Sequence, residues 1–323
     1  MPKAPQPSDL RVSVIVRCLN EERHIGRLLE GLLEQGRLAD EIVIVDSGST
    51  DRTLEIAGQF PTKIVHIAPE NFSFGRALNL GCEAASGDVF VMVSAHVYPV
   101  YDTWLRELVS PFEASDVVLS YGRQQGDERT RYSERRIFEQ WFPAESEPRQ
   151  RHPFCNNANS AVRRELWERF RWDESLTGLE DLALARKALD AGGTIAYVAT
   201  APIVHVHEED WRQIKNRYRR EAIAHKLLYD EQRMGLFEAV RLAVWNIGGD
   251  LVHAARHRDL THASGIVGFR TAQFIGSFQG FAQSGPVHAE LKRRFYYPAG
   301  RTRPSDTPGG ADAQPIDYRN DAE

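Results

Sequence analysis

Two acidic residues, Asp46 and Asp51, lie in a short polar segment that follows the β-branched run 42–45. Such a run predicts a buried parallel strand, and the segment after it predicts a loop at the carboxyl end of that strand. Open α/β sheets bind ligands at this end. Carboxylates held there could accept hydrogen bonds from a nucleobase or a ribose. A plain βα loop with Asp51 near a helix start explains the same pattern without a ligand.

A second pair of acids, Glu180 and Asp181, follows Gly178 and begins a segment with apolar residues at helical spacing. Negative side chains at a helix N-terminus are favoured by the helix dipole, so helix capping is one explanation. A carboxylate in reach of a reacting hydroxyl could instead accept its proton. The pair therefore predicts either a capped helix or a general base.

Three histidines follow strand-like segments. His96 ends the tripeptide after the apolar run 89–93, and His205 and His207 end the run 203–207. Alternate residues of a strand share a face, so His205 and His207 should point the same way. Two imidazoles at one strand end make half of a metal site. An exposed edge feature or a hydrogen-bonding brace is equally compatible with the pattern.

The elements that position these residues begin with the strand 12–16, which precedes Arg17, Asn20 and Glu22 and then a helix with apolar residues at helical spacing. This unit and the one around Asp46 are two β-loop-α units in succession. They predict neighbouring parallel strands whose loops meet at one edge of the sheet.

Bulk composition excludes several classes of protein. The 323 residues, 42% hydrophobic, suffice for one large α/β domain with a helical appendage. A net charge of −5 argues against a nucleic-acid-binding protein, because no basic surplus exists to neutralise phosphates. Three cysteines without Cys-x-x-Cys spacing favour a reducing cytoplasm. The first residues lack the apolar segment of a secretion signal, and no run approaches the ~18 apolar residues that span a bilayer.

The segments 12–22 and 42–51, taken with Gly178-Leu179-Glu180-Asp181, resemble the family 2 glycosyltransferases of the GT-A fold. The resemblance covers roughly residues 11–225. It implies an α/β fold of GT-A type, a Rossmann-like, mixed, mainly parallel sheet flanked by helices, with a C-terminal helical extension. It also implies transfer of a sugar, with inversion, from a nucleotide diphosphate to a hydroxyl of a glycan or lipid-linked acceptor in bacterial surface polysaccharide assembly.

The resemblance assigns roles by motif position. Asp181 is the catalytic base, and Glu180 shapes the acceptor pocket. Acceptor binding falls to Asn156, Asn157 and Trp141, since Asn side chains both donate and accept hydrogen bonds, although Asn also favours turns. The residues assigned to the nucleotide-sugar are Arg17, Asn20, Glu22, Asp46, Ser47, Asp51, Arg76, Asn79, Ser94, Ala95 and His96.

The tripeptide Ser94-Ala95-His96 departs from the Asp-x-Asp with which this family holds a divalent metal on the donor diphosphate. Ser94 supplies no charge, whereas His96 can ligate Mn²⁺ or a similar ion but suits Mg²⁺ poorly. We predict a site of His96, His205 and His207 for such a metal; in the alternative, His96 only hydrogen-bonds the diphosphate. Rhamnose-type transferases share the Asp-Ser-Gly-Ser-Thr-Asp segment at 46–51 and the His-x-His pair at 205–207. This likeness favours a dTDP-sugar and leaves UDP- and GDP-sugars open.

The chain divides into a flexible N-terminus at 1–10, a catalytic domain at 11–210, a helical region at 211–299 and a disordered tail at 300–323. The apolar helix predicted at 262–283 either caps the catalytic domain or gives peripheral contact with the inner face of the cell membrane.

Two other functions compete. A nucleotidyltransferase would need an early Gly-rich phosphate loop, which residues 12–25 lack. A non-catalytic nucleotide- or sugar-binding relative is compatible with the loss of the Asp-x-Asp. A dehydrogenase is disfavoured, because no Gly-x-Gly-x-x-Gly follows a strand.

Overall fold

A computed structural model describes residues 10–229, 231–283 and residue 316. The predicted flexible N-terminus and the predicted disordered tail lie outside the described residues, apart from Leu10 and Ile316. Residues 284–299 of the predicted helical region also lie outside them.

In the described part of the chain, nine strands form one mixed sheet in the order β3-β2-β1-β4-β8-β6-β9-β5, with β7 paired to β9. Pairing is parallel from β3 to β4 and between β6 and β9, and it is antiparallel elsewhere. The mixed α/β sheet is therefore confirmed, with its parallel half first in the chain. The strands are β1 (Val12–Cys18), β2 (Glu41–Asp46), β3 (Thr62–His66), β4 (Val89–Ser94), β5 (Val97–Pro99), β6 (Val117–Gln125), β7 (Glu147–Gln150), β8 (Asn159–Arg163) and β9 (Thr194–His205).

Ten α-helices, counted among the described residues, cover the faces of the sheet and extend beyond it. The central strands β1, β2 and β4 are buried almost throughout, which explains their continuous apolar sequences. The helices are α1 (Ile25–Leu33), α2 (Thr53–Ala57), α3 (Phe74–Ala84), α4 (Trp104–Val109), α5 (Tyr132–Trp141), α6 (Arg164–Phe170), α7 (Glu180–Asp190), α8 (Trp211–Leu228), α9 (Leu236–Arg256) and α10 (Ala263–Phe281).

The last three helices form the C-terminal extension. Gly276 of α10 lies against the backbone of Lys215 in α8, where any larger residue would overlap it. A buried ion pair joins α10 to α9, with Arg270 Nε 2.8 Å from Asp250 Oδ2. Because Ile266 and Phe269 are also buried, packing is the role that the structure gives to the helix predicted at 262–283. None of the described helices is long and apolar enough to cross a bilayer.

Candidate active site

A cavity of about 1320 Å³ lies where β1, β2 and β4 reach their carboxyl ends, as the sequence predicted. Most of the predicted site residues line it, so tertiary structure brings the three clusters of polar residues into one space. The predicted residues on its wall are Arg17, Asn20, Glu22, Ser47, Asp51, Ser94, His96, Trp141, Asn156, Asn157, Glu180, Asp181, His205 and His207.

The loops 19–22 and 46–53, here called the paired loops, are joined by side chain to backbone hydrogen bonds. Asn20 Oδ1 accepts from Thr50 N–H at 2.8 Å, and Asp51 Oδ2 accepts from Glu22 N–H at 3.1 Å. Glu22 in turn accepts from Arg52 N–H at 3.0 Å. Asn20 adopts a left-handed φ of 54°, a conformation that Asn tolerates better than most residues. These polar side chains therefore shape the cavity wall as well as facing it.

Asp46 is buried at 2% exposure and does not line the cavity. Its carboxylate accepts hydrogen bonds from the backbone N–H groups of Gly48 and Ser49, both at 3.1 Å. Gly48 has a φ of 95°, which favours glycine. In this structure the oxygens of Asp46 accept hydrogen bonds that fold the loop, and its direct contact with a base or ribose stays a prediction.

We expect Asp46→Ala to weaken nucleoside diphosphate binding roughly tenfold, since two N–H groups of the loop lose their acceptor. Asp46→Asn keeps an acceptor oxygen and should bind nearly as well as the parent, as measured by calorimetry. An equal loss in both variants would instead indicate a direct role for the negative charge.

Three other predicted donor residues also lie off the cavity wall. Asn79 is buried in α3, where it accepts from Trp167 Nε1 and donates to Trp172 O, both at 3.0 Å. Arg76 Nη1 lies 3.2 Å from Glu174 Oε2. Ala95 is buried at 1% exposure. Asn79 therefore braces the segment before α7. None of the three is among the described residues that line the cavity, and their contact with the sugar donor stays a prediction.

The acidic pair lies at the start of α7, where both carboxylates face the cavity. Leu179 precedes the helix with a left-handed φ of 58°, an unfavourable conformation for Leu that is typical of functional loops. Glu180 Oε1 lies 3.2 Å from Arg17 Nη1. Asn157 contacts both acids: its N–H donates to Asp181 Oδ2 at 3.1 Å, and its Nδ2 donates to Glu180 Oε1 at 3.3 Å.

Asp181 is partly buried in the wall of the cavity, and desolvation there together with the charge of Glu180 raises its pKa. Hydrogen bonds from the N–H groups of Leu182 and Asn157 and the charge of Arg17 act in the opposite direction. The result is a pKa of about 7 for Asp181. A carboxylate in this range accepts a proton near neutral pH far better than an ordinary aspartate does.

The three predicted histidines form one cluster. One potential ligand atom from each of His96, His205 and His207 lies within 4.8 Å of those of the other two. β5 and β9 pair antiparallel with Val97 opposite His205, and Val206 N–H donates to His96 O at 3.2 Å. This register, rather than a shared parallel edge, places His96 beside the two later histidines.

Each of these histidines has an oxygen acceptor at Nδ1. His96 faces Glu21 Oε1 at 2.9 Å, His205 faces Gln124 Oε1 at 2.7 Å and His207 faces Glu134 Oε1 at 2.8 Å. Carboxylate and amide oxygens only accept, so each Nδ1 carries a proton and the lone pair is on Nε2. Metal-binding histidines are oriented in this way.

These donors fit a divalent transition metal. Two nitrogens that share one ion lie at most about 4.2 Å apart, so small side-chain rotations would suffice. Neutral imidazole favours Mn²⁺ and later transition metals over Mg²⁺. Ser94 supplies no negative charge, but Glu21 and Glu134 place carboxylates directly behind His96 and His207.

Glu134 is fully buried, and burial raises its pKa, but Arg217 and His207 outweigh that effect and lower the pKa to about 2. Arg217 Nη2 lies 2.7 Å from the same oxygen that His207 contacts. The sequence alone did not indicate a role for four residues of the site, Glu21, Gln124, Glu134 and Arg217. The one signal was that Glu21 lies between the predicted residues Asn20 and Glu22. Glu134 lies in an Arg- and Glu-rich segment, and such segments ordinarily lie in solvent.

Positive charge lines the cavity between the acids and the histidines. The guanidinium groups of Arg17 and Arg220 lie 4.8 Å and 4.6 Å from the ring centre of Phe74. Both arginines line the cavity, as does Arg217. Helix α8 therefore turns part of its positive charge toward the site, where an anionic group of a ligand would be favoured.

Aromatic side chains, among them Trp141 and Phe154, also line the cavity. Trp141 is 50% exposed, and its ring centre lies 5.6 Å from that of Phe154. Asn156 lines the cavity too, with its Oδ1 accepting from Ala158 N–H at 3.0 Å. A half-exposed indole beside polar groups is suited to the apolar face of a sugar ring.

Comparison with known proteins gives a consistent picture. The family model for glycosyl transferase family 2 matches residues 13–170. An uncharacterized glycosyltransferase from Nostoc sp. is 36% identical over 34% of this chain and 35% of its own length. An O-antigen chain rhamnosyltransferase from Salmonella anatum is 28% identical over 57% of this chain and 62% of its own length. The chain thus spans less than two thirds of these relatives.

Among solved structures, a mannosyltransferase from Pyrobaculum calidifontis, in complex with GDP-mannose and Mn²⁺, superposes with a TM-score of 0.56. It is 18% identical, and the match covers 92% of this chain and 90% of that one. At this identity the likeness shows the fold. The predicted GT-A fold, including the C-terminal helices, is confirmed.

Proposed function

We propose that this chain, which belongs to glycosyl transferase family 2, transfers a sugar from a nucleotide diphosphate donor to a hydroxyl of an acceptor. One observation carries the proposal. A single cavity brings Asp181, with a pKa of about 7, together with arginines suited to a diphosphate and a cluster of three histidines.

In the proposed mechanism, Asp181 accepts the proton of the acceptor hydroxyl as its oxygen attacks the anomeric carbon of the donor. The bond between that carbon and the diphosphate oxygen breaks, and the nucleoside diphosphate leaves with the bonding electrons. Direct displacement inverts the anomeric centre. Asn157 orients both acids, and Glu180 forms part of the acceptor pocket beside Arg17.

The donor would lie along the paired loops, with its diphosphate near Arg17 and Arg220. The first candidate donor is a dTDP-sugar, because this sequence has the rhamnose-type pattern and one of its relatives is a rhamnosyltransferase. UDP- and GDP-sugars are the other two candidates, and the Pyrobaculum calidifontis structure holds GDP-mannose.

His96, His205 and His207 would hold Mn²⁺ or a similar divalent ion. When bound, such an ion neutralises charge that develops on the departing diphosphate. Glu21, Gln124 and Glu134 hold the three imidazoles in the orientation that ligation requires. Three neutral ligands bind an ion weakly, so we expect substantial metal affinity only when the donor diphosphate adds its charge.

The acceptor would be a glycan or lipid-linked sugar that stacks on Trp141, and the pathway would be surface polysaccharide assembly. The Salmonella relative supports this choice, since its name refers to the O-antigen chain. Cys18, Cys82 and Cys155 are free, buried thiols, which agrees with the cytoplasmic location that we propose. The nucleotidyltransferase alternative loses support because the family model is one of glycosyl transferases.

A donor panel tests the function. We expect release of nucleoside diphosphate from one of dTDP-rhamnose, UDP-glucose and GDP-mannose in the presence of Mn²⁺, with faster release when acceptor is added. The Asp181→Asn protein serves as the matched control for contaminating hydrolases. Tight nucleotide binding without turnover on any donor and acceptor would favour the non-catalytic alternative.

The pH profile of the reaction follows from the pKa of Asp181. The base works only when ionised, and its native pKa is raised to about 7, so kcat/KM should fall about tenfold per pH unit below 7. The rate should level off above that pH. A profile that stays flat down to pH 5 would contradict the assignment of Asp181 as the base.

A further inference from the structure

Helix α9 turns its large apolar side chains away from the protein. Phe237 is 83% exposed, Trp245 78% and Val244 65%, and Val240 and Val252 are more than half exposed. Their spacing places all five on one outward side of the helix. Here these five residues are called the α9 face.

The inward side of α9 buries only small residues and one ion pair fully. Its buried residues are Ala239, Asp250 and Ala254, with Asp250 paired to Arg270 of α10. A helix on a soluble domain ordinarily turns its apolar stripe inward. Clustered exposed aromatic side chains mark an interaction surface rather than ordinary surface variation.

Positive charges slightly outnumber negative ones around the α9 face. Arg241 lies within the stripe, and the other exposed arginines are Arg233 before the helix, Arg256 at its last position and Arg258 just beyond it. Three carboxylates, Glu231, Glu238 and Asp259, are nearby, and Glu238 lies 3.9 Å from Arg241. A stripe with Trp and Phe flanked by arginines is typical of helices that lie in a membrane interface with anionic lipids.

The N-terminal end of α9 also lies close to the cavity. Tyr229 and Gln232 line the cavity, and α9 begins four residues after Gln232. Four residues of extended chain reach at most about 14 Å. A membrane that contacts α9 would therefore lie near the opening through which a lipid-linked acceptor enters.

We propose that the α9 face docks on the surface of a membrane containing anionic lipids. The contact is peripheral, because no described helix can cross a bilayer. A second copy of the chain is the other occupant, and the test below distinguishes it from a membrane. A membrane surface offers an apolar layer for the aromatic side chains and negative headgroups for the arginines.

The test measures co-flotation of the full chain with phosphatidylcholine vesicles, with and without phosphatidylglycerol, in the absence of donor and metal. We expect binding to the anionic vesicles that weakens as salt is raised. Changing Phe237 and Trp245 together to Ser should reduce binding roughly tenfold or more. The matched control is Leu38→Ser, which changes a 56% exposed residue in the loop between α1 and β2 and should bind like the parent.

The fluorescence of Trp245 gives a second readout. The difference spectrum between the parent and Trp245→Phe should shift to shorter wavelength on anionic vesicles. No vesicle binding, or equal binding by the parent and the double variant, would overturn the proposal. So would a concentration-dependent dimer that the double variant abolishes while vesicle binding is unchanged, since the face would then bind a second copy. Neither donor nor metal is present, so a failure here leaves the proposed transfer reaction standing.

Discussion

Changing Asp181 to Asn is expected to lower the turnover number by ~10²–10⁴-fold with little change in donor affinity. The amide keeps the size of the side chain and one acceptor oxygen for the N–H groups of Asn157 and Leu182, but it cannot accept the acceptor's proton. Steady-state kinetics with the donor identified from the panel, together with calorimetry of nucleoside diphosphate binding, measures both effects.

The matched control is Asp190→Asn at the other end of α7, where the side chain is 75% exposed. It should leave turnover unchanged. Glu180→Gln provides a comparison within the pair: a larger loss there than in Asp181→Asn would exchange the two assigned roles. Near-normal turnover in Asp181→Asn would refute the base.

Stability separates catalytic loss from unfolding in the same variant. The pKa of Asp181 is raised from its ordinary value near 3.9 to about 7 in the native state, so folding favours the protonated acid. That stabilisation is present at low pH and is lost as the pH rises through 7. Because Asn never ionises, Asp181→Asn should exceed the parent in free energy of unfolding at pH 8 by on the order of 1 kcal/mol or more, and by less at pH 5. Denaturant titration at the two pH values checks this.

Removal of one imidazole from the histidine cluster should have the second large effect. We expect His205→Ala to weaken Mn²⁺ binding in the presence of nucleoside diphosphate by at least ~10-fold, and Glu134→Gln, which keeps the hydrogen bond to His207 but removes the charge, by ~10–100-fold. Calorimetry and the electron paramagnetic resonance of free Mn²⁺ measure the affinity directly, without reference to turnover. Without nucleotide, the parent should bind Mn²⁺ weakly.

His257→Ala, which changes an exposed histidine just after α9, is the control and should bind Mn²⁺ like the parent. Full activity in excess chelator, or unchanged Mn²⁺ affinity in His205→Ala, would refute the metal site. In that case Arg17 and Arg220 would have to stabilise the diphosphate without an ion.

Local patterns in the sequence determined the main elements and the positions of the reactive groups. Apolar runs of strand length predicted β1, β2 and β4, and the acids at 46, 51, 180 and 181 follow strand ends or open helices as expected. These features depend on side-chain alternation, helical periodicity and turn chemistry within a few neighbouring residues, all of which are visible in the chain. The resemblance of the segments 12–22, 42–51 and 178–181 to the family then indicated which loops come together at the site.

The direction in which each polar side chain points was decided only by tertiary structure. Asp46 and Asn79 resemble ligand-binding residues in sequence, yet their hydrogen bonds are used within the fold, because buried backbone and indole N–H groups require acceptors. Glu21 and Glu134 hold histidines 75 and 73 residues away in the chain, a distance over which no local pattern constrains a pair.

The two long C-terminal helices illustrate the same division. Both α9 and α10 lie in the predicted C-terminal helical region, and the apolar sequence of α10 favoured that helix for contact with a membrane. In the fold, the glycines of α10 allow it to approach α8 closely and bury Phe269, whereas α9 is held through Asp250 and keeps its aromatic side chains outside. Periodicity shows that a helix has an apolar face, but the neighbours against which it packs determine whether that face meets the core or the surroundings.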